Sequence, residues 1–321
     1  MDYSRFRVFL TIFLLLLFLA GCESPSAPEI PPTTEDVETT LPDTEPTAAD
    51  SIPTQESSTP AERVTEAPTF EETAPPVYIP WYETSRLIYH AGGAIGSMSY
   101  TNSKEAIEKT LEDGNRLLEI DFLFTSDGHL VCLHEWQNLQ GRNQPCSLET
   151  FLSLKIYYQY TTITAEDFLG YMRAFPDLYL IVDTKEQNAV EVVAELLRLC
   201  DYDASVADRF VIQLYDGGMK AQILELYPFT ADNFLFTAYK YGPYRITDIM
   251  NLCLEEEIRI VTVPYGSWDK ATVQKFNDAG FYVFEHTVNY TSMTDNGLAR
   301  GVYGFYTDSL QESDLGIETD N

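Results

Sequence analysis

Two carboxylates, two residues apart in an apolar run, are the first side chains in this sequence that could do chemistry. The run is LLEIDFLF, residues 117–124, which Glu119 and Asp121 interrupt. Residues two apart on a strand share a face, so both carboxylates should point one way while Leu118 and Ile120 point toward packed helices. A divalent cation would relieve their mutual repulsion, although a solvated strand end would carry the same pattern.

A histidine follows on the next stretch of chain. Asp127-Gly128 is the strongest short hairpin signal in the sequence, and a two-residue turn there would bring Asp121 opposite His134. Directly opposed residues have Cβ atoms about 4.5 to 5.5 Å apart, so the pattern predicts an imidazole beside the carboxylate. A longer turn would shift this register. His129, which flanks the turn, is interpreted as a solvated turn residue.

Polar residues also end other apolar runs. His90 closes RLIYH, and Asp183 stands near the end of LYLIVDT. Together with Glu119 and Asp121, they favour a site over a solvated strand end. Three carboxylates completed by water suit Mg²⁺ or Ca²⁺ better than Zn²⁺, which usually recruits His or Cys. The histidines would then be available for proton transfer.

Short apolar or β-branched runs, alternating with amphipathic stretches, must position these residues. Eight such runs are predicted strands, at 86–90, 116–122, 178–184, 209–215, 234–239, 259–265, 281–288 and 301–307. Helical patterns such as SKEAIEKTLEDG and AVEVVAELLRLC lie between most of them. Eight strands alternating with helices predict an α/β fold, a (β/α)8 TIM barrel with a β-hairpin after strand 2, whose site lies at the carboxyl ends of the strands. A doubly wound open sheet is the alternative.

The N-terminal quarter of the chain has a different composition. Arg5 and Arg7 precede an apolar run that ends in Leu-Ala-Gly-Cys, which is typical of a bacterial lipoprotein signal at residues 1–21 with Cys22 lipidated. An uncleaved anchor is the alternative. Residues 22–80 hold 12 of the 17 prolines and 13 acidic residues, a composition that cannot bury enough surface to fold. We therefore expect a disordered stalk that holds the protein outside the cytoplasm, on the bacterial cell membrane.

Residues 81–314 are the predicted barrel, and residues 315–321 are an acidic tail. The net charge of the chain is −30, of which −19 falls on residues 81–321. This charge argues against nucleic acid as a partner, because binding a phosphate backbone needs Lys and Arg to displace its counterions. An anionic substrate would need local positive charge.

In order along the chain, these residues resemble the glycerophosphodiester phosphodiesterase family, which has a phospholipase-C-like TIM barrel. In the first half of the barrel, His90-Ala91-Gly92 stands for the family's His-Arg-Gly, Glu119-Ile120-Asp121 for Glu-x-Asp, and Thr125 to Gly128 with His134-Glu135 for T-x-D-G and H-D. In the second half, Asp183-Thr184-Lys185 stands for Glu-x-Lys and His286-Thr287-Val288-Asn289 for Trp-Thr-Val-Asn. Gly301 to Asp308 matches the closing glycine and Thr-Asp. No single motif is specific. Together they extend across nearly the whole predicted barrel.

The resemblance implies metal-dependent hydrolysis of phosphodiesters, with glycerophosphodiesters as the expected small-molecule substrates. The implied site consists of the metal ligands Glu119, Asp121 and Asp183, the general acid and base His90 and His134, and the substrate-binding residues Lys185, His286 and Asn289. A hydroxyl of the substrate would attack first, and water would then open the cyclic phosphate. His286 is interpreted as a ring lining the pocket, with a third titrating group as the alternative.

Three departures from the family pattern bear on this function. Ala91 replaces an Arg expected to contact phosphate, Asp183 is one methylene shorter than the family's Glu, and residues 101–103 read Thr-Asn-Ser instead of Glu-Asn-Thr. Lys185 or Arg142 could take over the phosphate contact, or the freed volume could accept a bulkier substrate. The alternative function is a non-catalytic ligand-binding lipoprotein, although an intact histidine pair favours an enzyme.

Overall fold

The computed structural model describes residues 79–184, 189–239 and 245–317. The predicted signal peptide, the lipidated Cys22 and the stalk up to residue 78 lie outside the described residues. Lys185 and residues 318–321 of the predicted tail also lie outside them. Within the described ranges, no helix combines the length and the apolar character needed to cross a membrane.

Parallel strands close into a barrel, which confirms the predicted (β/α)8 TIM fold and excludes the open sheet. The strands of the described residues are β1 (Leu87–Tyr89), β2 (Leu117–Phe124), β3 (Leu130–Cys132), β4 (Lys155–Ile156), β5 (Tyr160–Thr161), β6 (Tyr179–Asp183), β7 (Phe210–Leu214), β8 (Phe234–Thr237), β9 (Ile260–Pro264), β10 (Tyr282–His286) and β11 (Gly304–Thr307). The barrel runs β1-β11-β10-β9-β8-β7-β6-β2, and β1 also pairs with β2 to close it. These eight strands match the eight predicted runs.

Helices surround the barrel, most of them on its outer face. They are α1 (Trp81–Thr84), α2 (Lys104–Glu112), α3 (Leu148–Ser153), α4 (Ala165–Ala174), α5 (Ala189–Leu199), α6 (Ala204–Ala207), α7 (Met219–Leu224), α8 (Ile246–Glu255), α9 (Lys270–Asp278) and α10 (Thr291–Arg300). Side-chain caps start several of them: Ser103 accepts from the Ala106 N–H, and Thr164 and Asp167 form a capping box. These caps satisfy N–H groups that have no partner within the helix.

Alternation along each strand separates the outer core from the barrel interior. On β2, Leu118 and Ile120 pack in the large cluster that joins the strands to the helices, as predicted. Leu117 belongs instead to an inner apolar cluster, and Glu119 and Asp121 follow it on the same face. Inner positions are therefore apolar near the amino ends of the strands and polar near their carboxyl ends. The carboxyl end is where the site lies.

Helix α1 contributes to the inner cluster from the other end of the barrel. Trp81 and Tyr82 are buried among inner-facing residues such as Leu117 and Phe284. The Trp81 indole Nε1 donates to the carbonyl oxygen of Asp232 at 2.7 Å, so its one polar atom is satisfied. This short helix therefore closes the amino end of the barrel.

The hairpin of β2 and β3 exists, but its predicted register is wrong by one residue. Asp121 lies opposite Leu133, whose N–H donates to the Asp121 carbonyl at 3.0 Å, rather than opposite His134. The turn is longer than two residues, since the Thr125 N–H donates to the His129 carbonyl at 2.8 Å. Thr125 Oγ1 accepts from the His129 N–H and donates to Asp127. These side-chain bonds favour the longer turn.

Candidate active site

A cavity of about 650 Å³ opens at the carboxyl ends of the barrel strands. Its wall includes polar side chains from most strands, namely His90, Tyr100, Glu119, His134, Glu135, Asn138, Tyr157, Asp183, Gln213, Tyr215, Thr237, Tyr239, Thr262, His286, Thr287 and Tyr306. No Lys or Arg is present among these described lining residues. From the predicted site, the cavity therefore brings together two acidic residues and three histidines, namely Glu119, Asp183, His90, His134 and His286.

Glu119, Asp121 and Asp183 form a buried acidic cluster, and two of them, Glu119 and Asp183, line the cavity. Each offers one carboxylate oxygen, and these oxygens lie within 4.8 Å of one another. Strands β2 and β6 pair with Asp121 beside Asp183, which adds the third carboxylate to the pair on β2. Ionised carboxylates buried this close repel strongly unless a cation compensates them. The donor set and spacing therefore fit a divalent cation with oxygen ligands.

Ala91, the residue at the position of the family's arginine, contacts the acidic cluster through its backbone. Its N–H donates to Glu119 Oε2 at 2.7 Å, and its side chain is fully buried. Its φ of 49° places it in the left-handed region. The Ala91 carbonyl accepts from the Asn102 N–H at 3.0 Å, so two parts of the loop after β1 are joined at the cluster.

Asn102 holds the second carboxylate with both ends of its amide. Its Nδ2 donates to Asp121 Oδ2 at 2.8 Å, and its Oδ1 accepts from the Asp121 N–H at 3.1 Å. Asn102 is fully buried and has φ 46°, a conformation that asparagine tolerates better than most residues. From the sequence, residues 101–103 stand out only because they depart from the family pattern, and this role of Asn102 is not predicted.

Tyr215 holds the third carboxylate. Its hydroxyl donates to Asp183 Oδ1 at 2.8 Å. Burial, with the nearby charge of Asp183, raises the pKa of Tyr215 far above its ordinary value, so the phenol stays neutral and keeps its proton. Sequence reasoning missed this residue. The available signal was the inward alternation that continues from Val211 through Gln213 to Tyr215.

His90 is oriented by an aspartate from the last barrel strand. Its Nδ1 lies 3.0 Å from Asp308 Oδ1. Burial alone would lower the pKa of His90, but the hydrogen bond to Asp308 and the charges of Glu119 and Asp121 outweigh it and raise the pKa to about 9. His90 is therefore protonated at neutral pH.

Asn289, predicted to bind substrate, is bound to Asp308. Its Nδ2 donates to Asp308 Oδ2 at 2.6 Å, and its Oδ1 accepts from the Asp308 N–H at 2.8 Å. Asn289 is not among the cavity-lining residues of the described chain. Asn289 therefore orients Asp308, the hydrogen-bond partner of His90. Direct contact between Asn289 and the substrate stays a prediction.

Tyr100 packs against both histidines of the predicted acid–base pair. Its ring lies edge to face with His90 at a centroid distance of 4.4 Å and with His134 at 4.9 Å. His134 reaches the cavity although the predicted hairpin register is wrong, because it lies beyond Cys132, where β3 ends. Tyr100 has a positive φ of 57°, and no pattern in the sequence predicts that it lies between the two histidines.

The remaining predicted residues differ in their placement. His286 lines the cavity, and its buried Nε2 has no hydrogen-bond partner among the described residues. Burial, followed by the charge of His90, lowers the pKa of His286 to about 4, so the ring is neutral at neutral pH. His129 is exposed in the hairpin turn, as interpreted. Arg142, one candidate for the missing phosphate contact, is half-buried and does not line the cavity.

Comparison with known proteins gives a match of fold. No protein-family model and no curated protein sequence matches the chain. An Oleispira antarctica phosphodiesterase, solved in complex with the product sn-glycerol-3-phosphate, aligns with a TM-score of 0.60 at 16% identity over 74% of this chain and 97% of that one.

Two glycerophosphodiester phosphodiesterase structures are also similar to this chain. The enzyme from Parabacteroides distasonis has a TM-score of 0.56 at 19% identity, over 72% of this chain and 95% of that one. The enzyme from Thermotoga maritima has a TM-score of 0.53 at 16% identity, over 72% and 96%. At these identities the similarity shows the fold. The chain thus has the (β/α)8 barrel architecture seen in solved glycerophosphodiester phosphodiesterases.

Proposed function

We propose that this protein is a phosphoric diester hydrolase that depends on a divalent cation and acts on small phosphodiesters, with glycerophosphodiesters as the first class to test. One observation carries the proposal: a buried cluster of three carboxylates lies at a cavity that His90 and His134 also line. The barrel similarity to solved phosphodiesterases supports it. A binding protein without turnover would have less use for this histidine pair.

Glu119, Asp121 and Asp183 would hold the cation, Mg²⁺ or Ca²⁺. When bound there, it would neutralise phosphate oxygens and offset the charge that develops in the transition state. The hydrogen bonds from Ala91, Asn102 and Tyr215 leave each carboxylate oriented before any substrate arrives. Such pre-orientation reduces the cost of assembling the site.

The two histidines would divide proton transfer between them. His134 would accept the proton of a substrate hydroxyl as that oxygen forms a bond to phosphorus, and protonated His90 would donate to the leaving alcohol oxygen as its bond to phosphorus breaks. Water would then open the resulting cyclic phosphate, with the proton transfers reversed. The hydrogen bond to Asp308, which favours the protonated ring, suits His90 to the donor role in the first step.

We propose that His286 and Lys185 contact the substrate, and that Asn289 supports Asp308, the partner of His90. Neutral His286 could hydrogen-bond a substrate oxygen without adding charge. Lys185 would supply a cation near the phosphate, which the described lining residues lack.

We also propose that the enzyme works outside the cytoplasm. The lipoprotein-like signal at residues 1–21 would place a lipid on Cys22, and the Pro- and Glu-rich stalk would separate the barrel from the bacterial cell membrane. The acidic charge of the chain makes small molecules better candidate partners than nucleic acid.

The test is hydrolysis of a panel of phosphodiesters, with and without chelator. We expect EDTA to abolish activity and an added divalent cation to restore it, and Asp121→Asn to remove the restored activity. Hydrolysis that survives exhaustive chelation would contradict the metal assignment. Saturable ligand binding without any turnover would support the binding-lipoprotein alternative instead.

A further inference from the structure

A chain of hydrogen bonds crosses the barrel interior and ends on the acidic cluster. The Tyr306 hydroxyl on β11 donates to Gln213 Oε1 on β7 at 3.1 Å. Gln213 Nε2 donates to the Tyr215 hydroxyl at 2.8 Å, and that hydroxyl donates to Asp183 Oδ1 at 2.8 Å. None of these three donors was singled out by the sequence.

The chemistry of the groups gives this chain one direction. An amide NH₂ can only donate, so the Tyr215 oxygen must accept from Gln213 and direct its own proton to Asp183. At the other end, the Tyr306 hydroxyl must donate to the carbonyl oxygen of the amide. Reversing the amide would place its carbonyl oxygen against the Tyr215 oxygen, and no proton would lie between these two acceptors while the phenol donates to Asp183. The orientation of the Asp183 carboxylate is therefore set by residues from β7 and β11.

We propose that Tyr215, oriented by Gln213 and Tyr306, is a positioning residue that sets the divalent-cation affinity of the acidic cluster through Asp183. The inference rests on the proposed function, since it assumes that the cluster binds a cation. Carboxylate ligands that lose an outer hydrogen-bond partner commonly lose about 10- to 100-fold in metal affinity.

The support for Asp183 is separate from that of the other two carboxylates. Glu119 and Asp121 receive their hydrogen bonds from Ala91 and Asn102, both in the loop after β1. Tyr215 follows β7 instead. A change at Tyr215 should therefore alter one ligand and leave the other two in place.

The experiment is titration of Mg²⁺ and, in parallel, Mn²⁺ into metal-stripped full-length protein by calorimetry. We expect Tyr215→Phe to raise the Kd by about 10- to 100-fold while the circular dichroism spectrum is unchanged. Gln213→Leu should give a smaller rise, because Tyr215 keeps its proton but loses the donor that directs it.

Tyr171→Phe is the matched control. The Tyr171 hydroxyl also donates to a carboxylate, Glu108 Oε1 at 2.9 Å, but it lies between α4 and α2 outside the cavity. This variant should keep the wild-type Kd even if its thermal midpoint falls. A purely structural role of Tyr215 would give the same result as this control.

The outcomes separate the inference from the proposed function. If the wild-type protein binds neither cation, the proposed metal site fails and the inference fails with it. If the wild-type protein binds and Tyr215→Phe binds equally well, the inference is overturned while the metal site stands. Should Tyr215→Phe not fold, an unchanged Kd in Gln213→Leu would overturn the inference.

Discussion

His90 and His134 share one cavity but are held by different contacts. Asp308 fixes the His90 ring through a hydrogen bond and raises its pKa, whereas the ring of His134 packs against Tyr100. Because Asp308 is itself held by Asn289, the His90 ring is braced by two further side chains. The two rings are therefore oriented by different neighbours before a substrate binds.

The first prediction at the scale of the residue concerns this pair. Under the proposed function, His90→Ala and His134→Ala should each lower kcat by about 10²- to 10⁴-fold, the usual contribution of general acid or base catalysis. Steady-state kinetics would measure this, with thermal unfolding to check the fold. His129→Ala is the control, since that exposed turn residue lies outside the cavity wall. A loss in His129→Ala equal to that in His134→Ala would contradict the assignment.

The second prediction concerns the protonation of His90. Its pKa in metal-free protein should be about 9, and added Mg²⁺ should lower it, because a cation would offset the charges of Glu119 and Asp121 that help to raise it. NMR titration of the imidazole C–H resonances would follow both values. A pKa that rises or stays constant with Mg²⁺ would show that the cation binds elsewhere.

The same shift has a consequence for stability. The pKa of His90 is raised above its ordinary 6.5, so the stabilisation from its protonation is fully present below about pH 6.5 and is lost as pH rises through about 9. Compared with His90→Gln, the metal-free wild-type protein should therefore lose free energy of unfolding across this range. If the free energy of unfolding had the same pH dependence in both proteins, the raised pKa of His90 would be contradicted.

At the scale of the element, the loop after β1 organises much of the site. Ala91, Tyr100 and Asn102 all have positive φ, at 49°, 57° and 46°. Ala91 donates its backbone N–H to Glu119, Tyr100 packs against both histidines, and Asn102 binds Asp121. Left-handed conformations are costly for side-chain-bearing residues, and they concentrate where a functional site requires a particular chain path.

The third prediction tests this loop through Asn102→Ala. The variant removes two buried hydrogen bonds and leaves the Asp121 N–H without that acceptor, so the free energy of unfolding should fall by about 1 to 3 kcal/mol. Asn102→Gly relieves the backbone strain, so it should be the less destabilised of the two. Urea unfolding would measure both.

Asn115→Ala is the control for the loop. Its side chain makes only a long contact of 3.4 Å to Gln311, and it should change stability by less than about 0.5 kcal/mol. If Asn102→Ala were no more destabilised than this control, the amide bonds to Asp121 would not stabilise the loop.

At the scale of the whole molecule, the barrel has a functional end and a closed end. The carboxyl ends of the strands surround the cavity, and α1 covers the opposite end with Trp81 and Tyr82. Substrate would therefore approach from the carboxyl side alone. Large aromatic side chains buried in this way contribute strongly to stability.

The fourth prediction separates the N-terminal segment from α1. A chain starting at residue 79 should keep the stability of the full chain, because the described core begins at Trp81. A chain starting at residue 86 loses Trp81 and Tyr82, and its free energy of unfolding should fall by at least about 3 to 5 kcal/mol, the usual cost of removing one large buried aromatic. Urea unfolding of both proteins would decide. Equal midpoints would show that α1 does not stabilise the barrel.

Local patterns in the sequence predicted the architecture well. Each of the eight predicted strands overlaps one barrel strand, and their ends differ by up to three residues. The alternation on β2 also predicted which side chains pack outward and which carboxylates face inward. Both follow from backbone geometry, since successive side chains on a strand must point to opposite faces.

The register of the hairpin was not predictable in this way. The turn signal at Asp127-Gly128 was read as a two-residue turn, but side-chain hydrogen bonds of Thr125 and Asp127 stabilise a longer one. A shift of one residue reverses the face of every side chain that stays in the sheet. His134 reaches the cavity because it lies beyond the end of β3, a fact that only the folded chain decides.

The amino-acid sequence is sufficient to predict the barrel and the convergence of Glu119, Asp121 and Asp183, because side-chain alternation is local and parallel barrel strands all end at the same rim. The hydrogen-bond partners of the site residues follow only from the folded chain. Tyr215 follows β7 and Asp308 follows β11, and both are far along the chain from the groups they bind. Hydrogen bonds of this kind depend on distances between side chains, and no local pattern records them.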